Sequence, residues 1–195
     1  DKINTVITSN KIDAILPTYD DALVFFSENE DKFQNNIKII TSAKETCEIC
    51  RSKKATYKRL KLHINCPIIY NNMKDVEYPA FLKPDKGSGS LGIRKIDTTM
   101  DICNADFINN IITEYLPGKE YTIDCFTDIN GKLLFAKPRE RYKTVNGMSV
   151  ITKSVEDIDL IKECLVMATN INDNMKLIGA WFFQIKYNKN NEITL

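Results

Sequence analysis

The sequence predicts an α+β fold, a mostly antiparallel sheet body preceded by the end of an α/β layer. Three observations carry this expectation. Before residue 60, short apolar strands alternate with helix-period segments, the order expected of a parallel α/β unit. From residue 78 the period switches to strand after strand, with a hairpin signal at Asn130 and Gly131. A long helical pattern over 155–171 then leads into an apolar strand over 177–187.

Taken in order, residues 12–17 form an apolar strand that stops at Pro17. Ala22, Leu23, Phe25, Phe26 and Phe33 are spaced for a helix over 19–33. Residues 37–40 make a second strand, and Ser42 with Glu45 suggests a capping box opening a short helix. Residues 52–63 read as the next helix, with Ala55, Tyr57 and Leu60 inward, and Pro67 closes the helical region before a strand at 68–70. Strands follow over 81–82, 91–96, 111–115, 121–127 and 132–137. In the helix over 155–171, Ile158, Ile161, Leu165, Val166 and Ala168 are the expected inner face. A turn at 188–191 leads into a last strand at 193–195.

With 195 residues, 43% apolar and 27% charged, the chain has the composition of an ordinary globular protein able to bury a core. A formal net charge of +1 provides no field for nucleic acid or a membrane surface. No apolar run reaches membrane-spanning length, and the first residues lack the regions of a signal peptide. Six cysteines in strand-like or helix-like segments suggest reduced thiols and a cytoplasmic location. Cys47 and Cys50 form a lone C-x-x-C with neither a second pair nor a nearby histidine, which argues against zinc. His63 lacks a catalytic partner in sequence and reads as a surface or capping residue.

The most informative segment is residues 78–93. Lys83 ends an apolar strand, just before a loop carrying Gly87, Ser88, Gly89, Ser90 and Gly92. Glycines let backbone amides approach an anion closely, and an ammonium adds a point charge suited to polyphosphate. The glycines spell G-x-G-x-x-G, but a dinucleotide fingerprint needs a helix after the loop, and Leu91, Ile93 and Ile96 suit a strand. The Walker pattern needs its lysine after the glycines, whereas Lys86 precedes Gly87. Two readings remain: a flap closing over phosphates from between antiparallel strands, or a plain hairpin turn with a solvated tip.

A second motif follows, in which Glu114, Leu116, Gly118, Glu120 and Tyr121 spell Glu-x-(apolar)-x-Gly-x-Glu-(aromatic). Together with the flap it resembles the ATP-grasp superfamily, in the flavour of carbamoyl-phosphate synthase large subunits and their small-ligase relatives. The resemblance covers nearly the whole chain. It implies an ATP-grasp fold, with 1–50 the remnant of a preceding α/β domain and 51–70 a linker helix and strand. Residues 71–116 become the small subdomain with the flap, and 117–195 the large subdomain, incomplete at its C-terminus. By resemblance Glu114, Tyr115 and Leu116 form the adenine hinge, Glu120 takes the ribose hydroxyls, and Lys83 touches the inner phosphates. Lys53 reaches those phosphates from the other side. The family has Asp before that lysine where this chain has Ser52, and Lys54 follows directly, so either lysine fits, with the spacing to Leu60 favouring Lys53. Gln184 corresponds to a glutamine that binds Mg2+ or Mn2+. A buried amide in so apolar a strand must also find partners, which a structural network would supply equally well.

Arg139 and Arg141 sit at alternate strand positions and are candidates to meet the γ-phosphate or an acceptor carboxylate, or else form an exposed charged strand. The implied activity is an ATP-dependent ligase that activates a carboxylate as an acyl phosphate for attack by an amine or ammonia. The partners would be ATP and a small carboxylate with an amine, without nucleic acid or membrane, and self-association is left open. The alternatives are a non-catalytic nucleotide-sensing domain with the same fold and a plain interaction domain. The family's remaining metal ligands fall after Leu195, so this stretch alone is expected to bind nucleotide weakly and turn over poorly.

Overall fold

The computed structural model describes residues 2–33, 37–87 and 89–195. The chain opens with helix α1 (Lys2–Asn10), strand β1 (Ala14–Ile15), helix α2 (Asp20–Glu28) and strand β2 (Lys38–Ile39). β1 and β2 pair in parallel, as expected of the end of an α/β layer. Helix α1 was not expected from the apolar spacing, since it buries Ile7 alone.

Helices α3 (Lys44–Arg51) and α4 (Lys53–Leu60) follow. The expected capping box at Ser42 does not form. α3 starts one residue later, after Ala43, and Ser42 Oγ instead accepts the Ile178 amide at 3.0 Å. This bond fastens the front of the chain to its later half, as does Thr46 Oγ1 donating to the Met175 carbonyl at 2.6 Å. Ser52 caps α4 by accepting the Ala55 amide at 3.1 Å.

Strands β3 (Ile69–Tyr70), β4 (Ala80–Pro84), β5 (Arg94–Ile96) and β6 (Asn110–Glu114) build an antiparallel sheet in the order β3-β6-β4-β5. Its core is Tyr70, Val76, Ala80, Leu82, Ile96, Ile102 and Ile112. The strand expected over 91–96 begins only at Arg94, because Ser90 and Gly92 take left-handed backbone and extend the loop.

Strands β7 (Glu120–Thr127), β8 (Leu133–Val145) and β9 (Met148–Ser154) lead to helix α5 (Ile158–Met175), then β10 (Gly179–Tyr187) and β11 (Ile193–Thr194). The second sheet runs β11-β10-β7-β8-β9, antiparallel throughout. β8 continues well past the expected strand over 132–137 and turns at Asn146 and Gly147 into β9, which the sequence reading lacked. The stretch after Pro138 has no clear alternation, so pairing alone makes it strand.

α5 covers one face of this sheet. Leu160, Cys164, Met167, Ala168, Ile171 and Met175 pack on Tyr121, Ile123, Cys125, Phe183 and Ile185, with Leu60 joining from α4. Each large side chain buried in this way contributes about 1.5–3 kcal/mol. The helix face is a correction: of the residues expected inward, Ile158, Leu165 and Val166 are exposed and Ala168 alone is fully buried. Helical spacing allowed two neighbouring stripes, and packing selected the one carrying Cys164 and the methionines. No helix among the described residues is long and apolar enough to cross a membrane.

Candidate functional site

Strand alternation places Glu120, Thr122 and Asp124 on the sheet face opposite α5. Register adds neighbours to that face: Lys186 lies opposite Glu120, and Gln184 and Arg139 flank Thr122 on either side. Gln184 is exposed there, so the expectation of a buried amide is corrected; in this strand the odd-numbered residues from Phe183 face α5. Gly118 carries the chain from β6 into β7, and a Cβ there would lie 2.3 Å from Tyr187 Cβ. The Gly118 amide donates to the Tyr187 carbonyl at 3.0 Å, holding the start of β7 against the end of β10.

Lys83 reaches this face from the other sheet. Its Nζ donates to Tyr57 Oη at 2.8 Å, and burial pushes its pKa down to about 8, partly offset by the Glu120 charge. Lys53 approaches from α4, with its Nζ 3.1 Å from the Gly87 carbonyl and 3.3 Å from that of Asp85. Burial and the neighbouring Lys83 ammonium lower the Lys53 pKa as well, against the raising influence of Asp85. Two ammonium groups thus meet at the mouth of the glycine loop. Lys54 is exposed, and its backbone amide donates to Asp85 Oδ1 at 2.7 Å. Asp85 also accepts from Ser52 Oγ at 2.8 Å, so its carboxylate ties the α4 N-terminus to the end of β4.

In the loop, Gly87, Gly89, Ser90 and Gly92 are exposed, and Ser88 lies outside the described residues. Glu114 and Tyr115 are tied to the smaller sheet. Glu114 Oε1 accepts the Ile68 amide at 2.9 Å, and the Tyr115 amide donates to the Pro79 carbonyl at 3.3 Å. The Nζ atoms of Lys95 and Lys186 lie 5.2 and 5.8 Å from the centroid of the Tyr115 ring. Leu116 follows, half-buried.

The two arginines separate in role. Arg139 pairs with Asp124 through Nε–Oδ2 at 2.6 Å and Nη2–Oδ1 at 3.3 Å, with both side chains partly open to solvent. Arg141 is nearly buried. Its Nε lies 2.7 Å from Glu120 Oε1, but the N–H points off that line, making an ion contact rather than a hydrogen bond. Its hydrogen bonds go to the Gly147 carbonyl at 2.6 Å and Thr122 Oγ1 at 3.4 Å. Glu120 is therefore held to Arg141 by charge.

The sequence reading missed Tyr57 and Asp85. Tyr57 stands four residues after Lys53 on α4, so helical spacing alone could have placed both on one face. Asp85 carried no such signal. Among the described residues no three His, Cys, Asp or Glu side chains cluster as a metal site, and Gln184 supplies a single neutral oxygen. These side chains do not by themselves make the oxygen cage magnesium requires.

A family model described as an ATP-grasp domain matches residues 50–175. No curated protein sequence matches the chain. Among solved structures, the biotin carboxylase domain dimer of Hydrogenobacter thermophilus 2-oxoglutarate carboxylase, in complex with MgADP, ADP and bicarbonate, matches with a TM-score of 0.83 at 14% identity, covering 99% of this chain and 49% of that one. A Campylobacter jejuni biotin carboxylase–β-γ-ATP complex matches with 0.82 at 17% identity, covering 98% of this chain and 49% of that one. N5-carboxyaminoimidazole ribonucleotide synthetase from Thermotoga maritima matches with 0.71 at 16% identity, covering 93% and 49% respectively. At such identities the likeness establishes the fold, and the chain spans about half the length of each of these structures. With the family model matching well over half of its residues, the chain belongs to the ATP-grasp domain family.

Proposed function

We propose that this chain forms the ATP-binding part of a ligase that activates a carboxylate as an acyl phosphate for attack by an amine or ammonia. The observation that carries this reading is the meeting of Lys53 and Lys83 at the glycine loop. Each has its pKa lowered, and neither Nζ is paired with a carboxylate, so the pair constitutes an anion site that a polyphosphate would neutralise. Family membership and the nucleotide complexes of the solved neighbours support ATP as that polyphosphate.

In this reading the adenine lies along residues 114–116, with Lys186 and Tyr115 beside it. Glu120 accepts the ribose hydroxyls while Arg141 balances its charge. Lys83 and Lys53 hold the phosphates from opposite sides, and the amides of the glycine loop close over them. The acceptor carboxylate oxygen attacks the γ-phosphorus as the bond to the bridging oxygen breaks, and ADP leaves. The nitrogen nucleophile then attacks the acyl carbon, the carbon–oxygen bond to phosphate breaks, and the amine gives up a proton. Arg139 would meet the acceptor carboxylate or the γ-phosphate, exchanging Asp124 for substrate. Magnesium would enter as the nucleotide's companion ion, held chiefly by phosphate oxygens and neutralising their charge, and Gln184 would be the side chain of this chain to offer it an oxygen. The carbamoyl-phosphate synthase flavour of the motifs and a cytoplasmic location are part of the same proposal.

Titration calorimetry with ADP and ATP tests the site. Binding that is lost in Lys53→Ala and Lys83→Ala but kept in Lys54→Ala is the expected result; equal affinity in all four proteins would remove the assignment. Phosphate release against a panel of carboxylates with amines then tests the chemistry.

A further inference from the structure

The tip of the β8–β9 hairpin touches the glycine loop. A Cβ on Gly147 would lie 2.3 Å from Ser90 Oγ, 2.9 Å from the Ser90 amide nitrogen and 3.0 Å from the Gly89 carbonyl carbon. Gly147 and Ser90 both adopt left-handed backbone, so two tight turns nest against each other. The carbonyl that Gly147 turns back toward the sheet receives Arg141 Nη2, and the same guanidinium contacts Glu120. One buried planar cation therefore joins the hairpin that contacts the loop to the carboxylate at the nucleotide end of the cleft.

We propose that Arg141 is a positioning residue that couples Glu120 to the glycine loop through the β8–β9 tip. This rests on the nucleotide reading above. When ribose hydroxyls fix the Glu120 carboxylate, Arg141 is fixed with it, and the Gly147 carbonyl is held in the place that supports Gly89 and Ser90. Ribose and phosphate recognition then reinforce one another across the cleft. Lysine cannot replace arginine here. An ammonium can keep the charge contact with Glu120, but it lacks the fork that reaches Thr122 and Gly147 at the same time.

Amide hydrogen exchange over 86–92 and 145–149, with and without ADP, tests the coupling. In the parent protein ADP is expected to slow exchange in both segments. In Arg141→Lys, ADP is expected to protect the loop segment while the hairpin tip loses its ADP-dependent protection. In Gly147→Ala, whose new Cβ presses on loop backbone, free-state loop exchange is expected to rise by about tenfold while the sheet core exchanges as before. Tip protection by ADP that is unchanged in Arg141→Lys would overturn the proposal, as would Gly147→Ala loop exchange equal to the parent's. If ADP protects nothing in the parent protein, the nucleotide reading falls. The free-state comparison still decides the clasp: faster loop exchange in Gly147→Ala and Arg141→Lys supports it, and none refutes it.

Discussion

Lys83 Nζ donates a hydrogen bond to Tyr57 Oη at 2.8 Å, so the strand lysine facing the cleft is held by the helix that also carries Lys53. Tyr57 is itself buried, and desolvation pushes its hydroxyl well above the ordinary tyrosine range. The hydroxyl therefore stays neutral and serves as the acceptor for the ammonium. Replacing Tyr57 with Phe would leave that ammonium without its partner. The expected loss is about 1–2 kcal/mol of stability, measured by urea denaturation, together with a further drop in the Lys83 pKa.

The depressed Lys83 pKa sets a pH dependence. In the folded protein Lys83 releases its proton near pH 8, whereas in the unfolded chain it does so near 10.5. Below about 8 the buried ammonium therefore costs stability, and that cost is relieved as pH rises from about 8 to 10.5, where the unfolded state binds more protons. Anion binding has the opposite trend, because it needs the charged form. Between pH 7 and 9, ADP affinity is expected to fall by up to about tenfold as the competent fraction declines. Lys83→Met should bind weakly with a flatter profile; an equally steep profile in that variant would assign the titration elsewhere.

Asp85 organises the α4 N-terminus. Asp85→Ala removes the acceptor for Ser52 Oγ and the Lys54 amide and is expected to cost about 1–2 kcal/mol. Because Lys53 Nζ reaches the carbonyls of Asp85 and Gly87, release of the helix end should also weaken nucleotide binding. Unaltered calorimetric affinity in a folded Asp85→Ala protein would show that Lys53 does not depend on this anchor.

Gly118 is required by contact rather than by composition. A Cβ would lie 2.3 Å from Tyr187 Cβ and 2.8 Å from the Tyr187 carbonyl oxygen, so the backbone must move to admit it. Gly118→Ala is expected to destabilise by about 1–3 kcal/mol and to loosen residues 114–116 relative to β10. A melting temperature within experimental error of the parent's would contradict this.

Arg139 separates stability from function. Its pair with Asp124 is partly solvated, and such pairs are worth about 0–1 kcal/mol. Arg139→Ala should therefore melt close to the parent while turnover, once a substrate pair is known, falls at least about tenfold if its guanidinium meets the reacting groups. Full turnover in that variant would reduce Arg139 to a surface ion pair.

Much of this protein follows from the sequence by itself. The parallel start, the switch to antiparallel strands and the glycine loop after Lys83 are local patterns of period and turn chemistry, and each recurs in the fold. The α5 face, the length of β8 and the existence of β9 were not legible, because each is chosen by what packs or pairs against it. The same holds for the convergence of side chains. Only tertiary structure brings Lys53 beside Lys83, hands Arg141 rather than Arg139 to Glu120, and sets Gly147 against Ser90. Sequence spacing determines which side chains share a face of one element, whereas register and packing between elements determine which faces meet.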